Sequence, residues 1–373
     1  MMKNLSKEQQ ELLNLFYSMK ATKVLYKKSV RKKFWSLVTT NSNLNSCLSQ
    51  IKAKVPAMAH QIEKHIDSSK AIQSAVFSEC VYAQTLANML GLNYIENVPE
   101  IVKSKINELL KRKNLNLHSR YIYYNEDFSK VLIQAGGCNG IDAVLIISGS
   151  VYTIEMKEPA AKTSEPDLPS YGEDGVLSVT EEFKDKNSQF IPMLEEQKGL
   201  NFFDVMGSNI NNFSEESLIA AVNNNYTKEK SCKYADVILT EDKNADLVML
   251  PSQDISKWAD IVGEIRPAGR NHYKVWTPVA LKRFIKANNG EIIADVVTIP
   301  VEKLSTSRQR GNKNKDSRYK INSLFFVYID NCTISNNIAT FKFSDIQQLK
   351  PTIAAKIYFK KITYSQLKEA YYE

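Results

Sequence analysis

Two carboxylates and an amine fall within one short window of this chain. In the stretch 130–158, KVLIQAGGCNGIDAVLIISGSVYTIEMKE, Asp142 stands in a glycine-rich turn after an apolar run. Glu155 and Lys157 close another apolar run. Side chains alternate along a strand, so Thr153, Glu155 and Lys157 form one polar row and Tyr152, Ile154 and Met156 the opposite, apolar one. Acids on rigid strands can hold a hard cation through oxygen, and a neighbouring lysine can orient or help deprotonate an attacking water. Those are the parts of a hydrolytic magnesium site, and they point towards a nuclease.

Letters alone do not single this site out. Glu-x-Lys occurs four times, starting at Glu155, Glu182, Glu196 and Glu241. Glu182 (EEFKDK) and Glu196 (EEQK) lie in charged, helix-like text, and Glu241 to Lys243 lies in a TEDKN turn. Only Glu155 follows a β-branched and aromatic run, VYTI, itself preceded by VLII and a Ser-Gly-Ser turn that reads as a hairpin.

Gly140-Ile141-Asp142, twelve residues, then Glu155-Met156-Lys157 resembles the core of the PD-(D/E)XK nucleases, best known as type II restriction endonucleases. In that family an aspartate begins one strand of a hairpin and the (D/E)xK triplet lies on the next. The resemblance implies an α/β (α+β) fold: a restriction-endonuclease-like core, with a central mixed β-sheet flanked by helices and with helical N-terminal and β-containing C-terminal extensions. It assigns Asp142 and Glu155 to Mg²⁺ ligation, the Met156 carbonyl to a third ligand position, and Lys157 to positioning water. Ile141 stands where the name-giving proline does.

Upstream, AIQSAVFSECVYAQTLANMLGL (71–92) reads as an amphipathic helix stopped at Gly91. Its apolar stripe runs through Ile72, Val76, Ala83, Leu86 and Leu90, and Glu79 falls on that stripe. A carboxylate there is costly unless paired or bound to a cation. Many PD-(D/E)XK nucleases are similar, with a glutamate on the helix before the sheet directed at the metal; the resemblance makes Glu79 a fourth catalytic candidate.

The net charge of +8 fits a polyanionic partner. Residues 20–33 carry seven basic residues and no acid, on a helix with Leu25, Val30, Phe34 and Trp35 facing inward. Residues 303–320, KLSTSRQRGNKNKDSRYK, carry seven basic residues against one Asp and read as a loop. Lysines and arginines there would take DNA phosphates: Arg308, Arg310, Lys313, Lys315 and Arg318. A third cluster, Glu264 to Lys274, packs polar side chains around a Pro-x-Gly turn. Its Arg266, Arg270, Asn271, His272 and Lys274 suit base or phosphate contact, and Lys162, shortly after the motif, is a further candidate. Asp246 with Glu264 and Arg266 is a weaker alternative for catalysis, because arginine does not deprotonate at working pH.

At 373 residues and 43% hydrophobic content the chain can bury a large core. No apolar stretch approaches a membrane span, and MMKNLSKEQQ is not a signal peptide, so a cytoplasmic protein is expected. Five scattered cysteines without CxxC argue against disulfides and a zinc module, and His60 and His65, five apart, are poorly spaced to share a helix face. The expected division is a helical region (1–70), a nuclease core with DNA-contacting loops (71–300), and a C-terminal β-rich part (301–373) that serves recognition or completes the sheet. Helices are expected near 180–206 and 214–225, with short strands at 235–240 and 246–250. The reading is a Mg²⁺-dependent type II restriction endonuclease acting on double-stranded DNA. A homodimer would match a palindromic site, and a cognate DNA methyltransferase would be its functional partner. A structure-specific repair or recombination nuclease and a non-catalytic DNA-binding protein are the alternatives.

Overall fold

A computed structural model describes residues 5–40, 44–68, 74–138, 141–162, 209–210, 235–272, 278–308, 317–321 and 325–372. They belong to two compact units. One takes in Met1–Ala161, Asn223–Asp260 and Ile357–Glu373; the other Lys162–Val222 and Ile261–Lys356.

The first unit opens with four helices, α1 (Lys7–Ser18), α2 (Lys28–Thr40), α3 (Leu44–Lys54) and α4 (Pro56–Ser68). Ser6 and Gln9 cap α1 reciprocally: the Ser6 hydroxyl accepts from the Gln9 N–H and the Gln9 side chain from the Ser6 N–H, each at 3.1 Å. Pro56 opens α4, where a missing N–H costs nothing. Then comes α5 (Ser74–Leu90), ended as expected at Gly91. Gly91 takes φ +70°, and the Leu92 and Gly91 N–H groups close on the Ala87 and Asn88 carbonyls at 2.8 and 3.3 Å. This is the paired C-terminal bond pattern that a left-handed residue permits.

The sheet follows with β1 (Asn93–Ile95), α6 (Glu100–Arg112), β2 (His118–Tyr124), β3 (Lys130–Cys138), β4 (Ile141–Ile147) and β5 (Ser150–Met156). β6 (Ala160–Lys162) and β7 (Asn209–Ile210) come next in the chain, then β8 (Val237–Glu241) and β9 (Leu247–Pro251). The strand order is β1-β2-β3-β4-β5-β8-β9. Every neighbouring pair is antiparallel except β5 and β8, which run parallel with Glu155 opposite Ile238 and Met156 opposite Leu239. A mixed central sheet flanked by helices is therefore the architecture, in agreement with the expected fold class.

The Ser-Gly-Ser hairpin forms where expected. Ile147 pairs with Ser150, leaving Ser148 (φ +48°) and Gly149 (φ +85°) as a two-residue turn of the kind whose twist suits a hairpin. On one face of the sheet Val102, Ile106 and Leu110 of α6 pack with Ile122, Val131, Ile133, Val144 and Val151. Gln134 alternates to the other face, where its amide donates to the Cys80 thiol of α5 at 3.2 Å.

Among the described residues the remaining α-helices are α7 (Ile255–Trp258), α8 (Pro278–Ala287, in the second unit) and α9 (Tyr364–Tyr371). The sequence reading missed α9, although Thr363-x-x-Gln366 is a capping box and forms as one. Its Tyr364 hydroxyl donates to the Met19 carbonyl at 2.7 Å. Its Tyr371 hydroxyl accepts from the Trp258 indole at 2.6 Å and donates to Asp254 at 2.8 Å.

The second unit is mostly strand: β10 (Ala259–His272), β11 (Glu291–Ile293), β12 (Val296–Pro300), β13 (Ser305–Arg308), β14 (Ser317–Lys320), β15 (Phe325–Tyr328), β16 (Cys332–Ser335), β17 (Ile338–Lys342) and β18 (Gln347–Phe359). One sheet runs β13-β14-β15-β18-β10-β7, another β11-β12-β17-β16. Two expectations are corrected. The cluster around Pro267 is not a turn, because 259–272 is one extended strand; Pro-x-Gly suits either state, and pairing with β18 and β7 decides it. The basic stretch 303–320 is not a plain loop, since β13 and β14 pair from Ser305–Lys320 to Arg308–Ser317, with 309–316 outside the described residues. β11 and β12 are joined through Ala294 (φ +54°). The helices expected near 180–206 and 214–225 lie outside the described residues. Among those described, no helix is long and apolar enough to cross a membrane.

Candidate active site

At the ends of β4 and β5 the backbone itself orients the first carboxylate. The Met156 N–H donates to Asp142 Oδ2 at 2.8 Å. β5 continues its ladder one residue further, with the Lys157 N–H on the Leu239 carbonyl of β8 at 3.0 Å. The main chain through Glu155-Met156-Lys157 is thus pinned between Asp142 on one side and a buried parallel strand on the other.

Glu155 is 4% exposed. Its Oε1 is ion-paired with the Lys157 ammonium, as the shared row of residues 155 and 157 predicts. Its Oε2 is buried and has no hydrogen-bond partner among the described residues. An unsatisfied buried acceptor costs about 1–3 kcal/mol, and more when charged, so such an atom calls for a cation or a water.

Glu79 of α5 belongs to the same cluster. Burial raises its carboxyl to about 7, with the Glu155 carboxylate adding to the rise and Lys157 opposing it. Asp142 is held well above the ordinary carboxylate range by burial, then by Glu155 and Glu79, against Lys157 and the Met156 N–H. Glu79 and Asp142, both reluctant to ionise beside Glu155, are short of positive charge. Hard oxygen donors with an orphaned carboxylate atom fit Mg²⁺. Among the described residues no three His, Cys, Asp or Glu side chains converge in ready-made ligand geometry. Asp142 and Glu155 are the carboxylates that could supply such donors.

The neighbouring strand holds a carboxylate that the sequence reading placed in a turn. Glu241 is instead the last residue of β8 and is buried. Its Oε1 accepts from Arg31 of α2 at 2.7 Å and from the Tyr82 hydroxyl at 3.2 Å. Arg31, 3% exposed, also donates to the Tyr26 carbonyl at 2.6 Å and lies 3.7 Å from Glu158. Lys28 pairs with Glu158 at 3.3 Å and Lys23 with Asp246 at 3.0 Å. The 20–33 segment therefore spends three of its cations on internal acids, while Lys20, Lys27, Lys32 and Lys33 stay exposed. Asp246, a member of the weaker alternative site, is the partner of Lys23.

The expected DNA contacts are placed as follows. Lys162 ends β6, Arg266, Arg270, Asn271 and His272 lie on β10, and Arg308 ends β13. Arg318 of β14 stands over the Phe326 ring of β15, 4.2 Å from its centre. Lys274, Arg310, Lys313 and Lys315 lie outside the described residues.

Comparison with known proteins is sparse. No protein-family model matches the chain, and no curated protein does. Among solved structures, HhaI endonuclease in complex with DNA aligns with 11% identity and a TM-score of 0.30, over 73% of this chain and 96% of that one. The chemistry below rests on this chain's own residues.

Proposed function

We propose that the chain is a Mg²⁺-dependent endonuclease of the type II restriction class, hydrolysing phosphodiester bonds in double-stranded DNA. The observation that carries the reading is the buried Glu155, one oxygen paired to Lys157 and the other unpartnered, next to an Asp142 held by the backbone of the same strand. Asp142, Glu155 and the Met156 carbonyl would hold the cation, which supplies Lewis-acid stabilisation of charge on the phosphate. Lys157 is tethered by Glu155 where it can orient the attacking water and share its proton, and Glu79, with a carboxyl near neutrality, can take up or release a proton beside them. The net charge of +8 supports a polyanionic substrate. A homodimer would place two such sites on a palindrome, and a methyltransferase of the same specificity would protect host DNA.

The test is incubation of the purified protein with unmethylated plasmid, with Mg²⁺ or with EDTA. Discrete fragments that need Mg²⁺ and vanish in Asp142→Ala support the reading. Intact plasmid under all conditions, or full cutting by Asp142→Ala, would overturn it.

A further inference from the structure

Beside the four-residue cluster lies a second one. Ser78, immediately before Glu79 on α5, donates its hydroxyl to Glu158 Oε1 at 2.5 Å. Glu158 immediately follows Lys157. Lys28 approaches its Oε2 at 3.3 Å, and Arg31 lies 3.7 Å from Oε1. One hydrogen bond thus joins the residue next to Glu79 to the residue next to Lys157, across 80 positions of sequence. Other polar contacts tie α5 elsewhere, Tyr82 to Glu241, Cys80 to Gln134 and Thr85 to the Leu25 N–H, but the Ser78 bond reaches the residue that follows Lys157. Apolar packing is non-directional; a charge-assisted bond is not.

We propose that Glu158 is a positioning residue: bonded by Ser78 and flanked by Lys28 and Arg31, it locks the helix that carries Glu79 to the strand end that carries Glu155 and Lys157. The proposal deepens the nuclease reading of the same site and rests on it for the role of Glu79. The Ser78 hydroxyl and Arg31 approach one carboxylate oxygen of Glu158 and Lys28 the other. The two basic side chains come from α2, so three elements meet at this one carboxylate.

Mutation of such an outer partner typically costs about tenfold to a hundredfold in metal affinity or activity. The experiment compares wild type with Ser78→Ala, Glu158→Ala and Glu158→Gln. Arg31 keeps its 2.7 Å bond to Glu241 in all of them, so none leaves that buried cation alone. Mg²⁺ affinity is read by calorimetry without DNA, α5 by amide hydrogen exchange in the cation-free protein, and cleavage by kcat and KM separately. Ser78→Ala and Glu158→Ala are expected to weaken Mg²⁺ binding within the range above, to speed exchange along α5, and to lower kcat with KM unchanged. Glu158→Gln, which keeps the acceptor, is expected to recover most of each loss.

Unchanged Mg²⁺ affinity and exchange in Ser78→Ala and Glu158→Ala would overturn the lock, as would losses that merely follow melting temperature, or a Glu158→Gln no better than Glu158→Ala. Because the calorimetry needs no turnover, a wild-type protein that binds Mg²⁺ yet leaves plasmid intact removes the nuclease reading while the lock is still decided.

Discussion

Glu155 and Glu241 close neighbouring parallel strands, each begins a Glu-x-Lys triplet, and both are buried, at 4% and 7% exposure. Their surroundings differ in one respect. Arg31 and the Tyr82 hydroxyl reach Glu241, while among the described residues Glu155 has only the lysine of its own triplet and keeps one oxygen without a partner. The fold supplies a cation to one glutamate from a separate helix and withholds it from the other. Whether a buried carboxylate is fully partnered is thereby set by what a distant segment brings, and the triplet's letters carry none of that difference.

The contrast can be broken most directly at its reactive side. Asp142→Ala should lower cleavage by about a hundredfold to ten-thousandfold with melting unchanged, and Lys157→Ala should lower it comparably while also reducing stability, because Glu155 loses its paired cation; plasmid digestion and thermal denaturation read the two quantities. On the structural side, Glu241→Ala takes from the buried Arg31 its closest carboxylate, leaving Glu158 at 3.7 Å, and should cost up to about 3–5 kcal/mol of stability, measured by urea unfolding. A Glu241→Ala protein that melts normally but fails to cut would reverse the two assignments.

The ionisation of Glu79 gives a third handle. Its folded carboxyl is raised from 4.5 to about 7, so the folded state binds the proton more tightly than the unfolded chain does. That contribution is complete below the unfolded value and is lost as pH rises through about 7. In EDTA the melting temperature should therefore fall across that interval; Glu79→Gln should flatten the fall and Mg²⁺ should offset it. The smallest effect concerns the basic stretches. Removing Arg310 or Lys313 should each reduce the salt slope of DNA binding by about 1, whereas Arg31→Met should register in unfolding experiments first.

Much of the site's geometry follows from sequence. Alternation set Glu155 and Lys157 on one row, and the ion pair between them forms. Ser148-Gly149 carries the positive φ values a two-residue hairpin needs, and Gly91 stops α5 where a left-handed residue should. These are local rules, readable over a few residues. What escaped the reading was long-range. Arg31 meets Glu241 across 210 positions, and nothing near either residue announces the other. The strand through Pro267 carries turn-like residues locally, and its partner β18 lies far along the chain. The helix α9 was a different omission: its capping box at Thr363 and Gln366 was in plain view, beside aromatic strand-like text that drew the assignment instead.

That helix has a consequence in time. Tyr364 bonds the Met19 carbonyl across 345 positions, and its ring lies 5.4 Å from that of Tyr17 on α1. Contacts this remote make folding slow. A ribosome adding roughly 5–20 residues per second needs on the order of 17–70 seconds to make the chain between those two anchors. Throughout that interval the nascent α1 lacks the aromatic cover that α9 provides. The protein that would cut DNA is thus assembled late, by the return of a distant segment to the first helix, and a stalled translation product would lack that clasp.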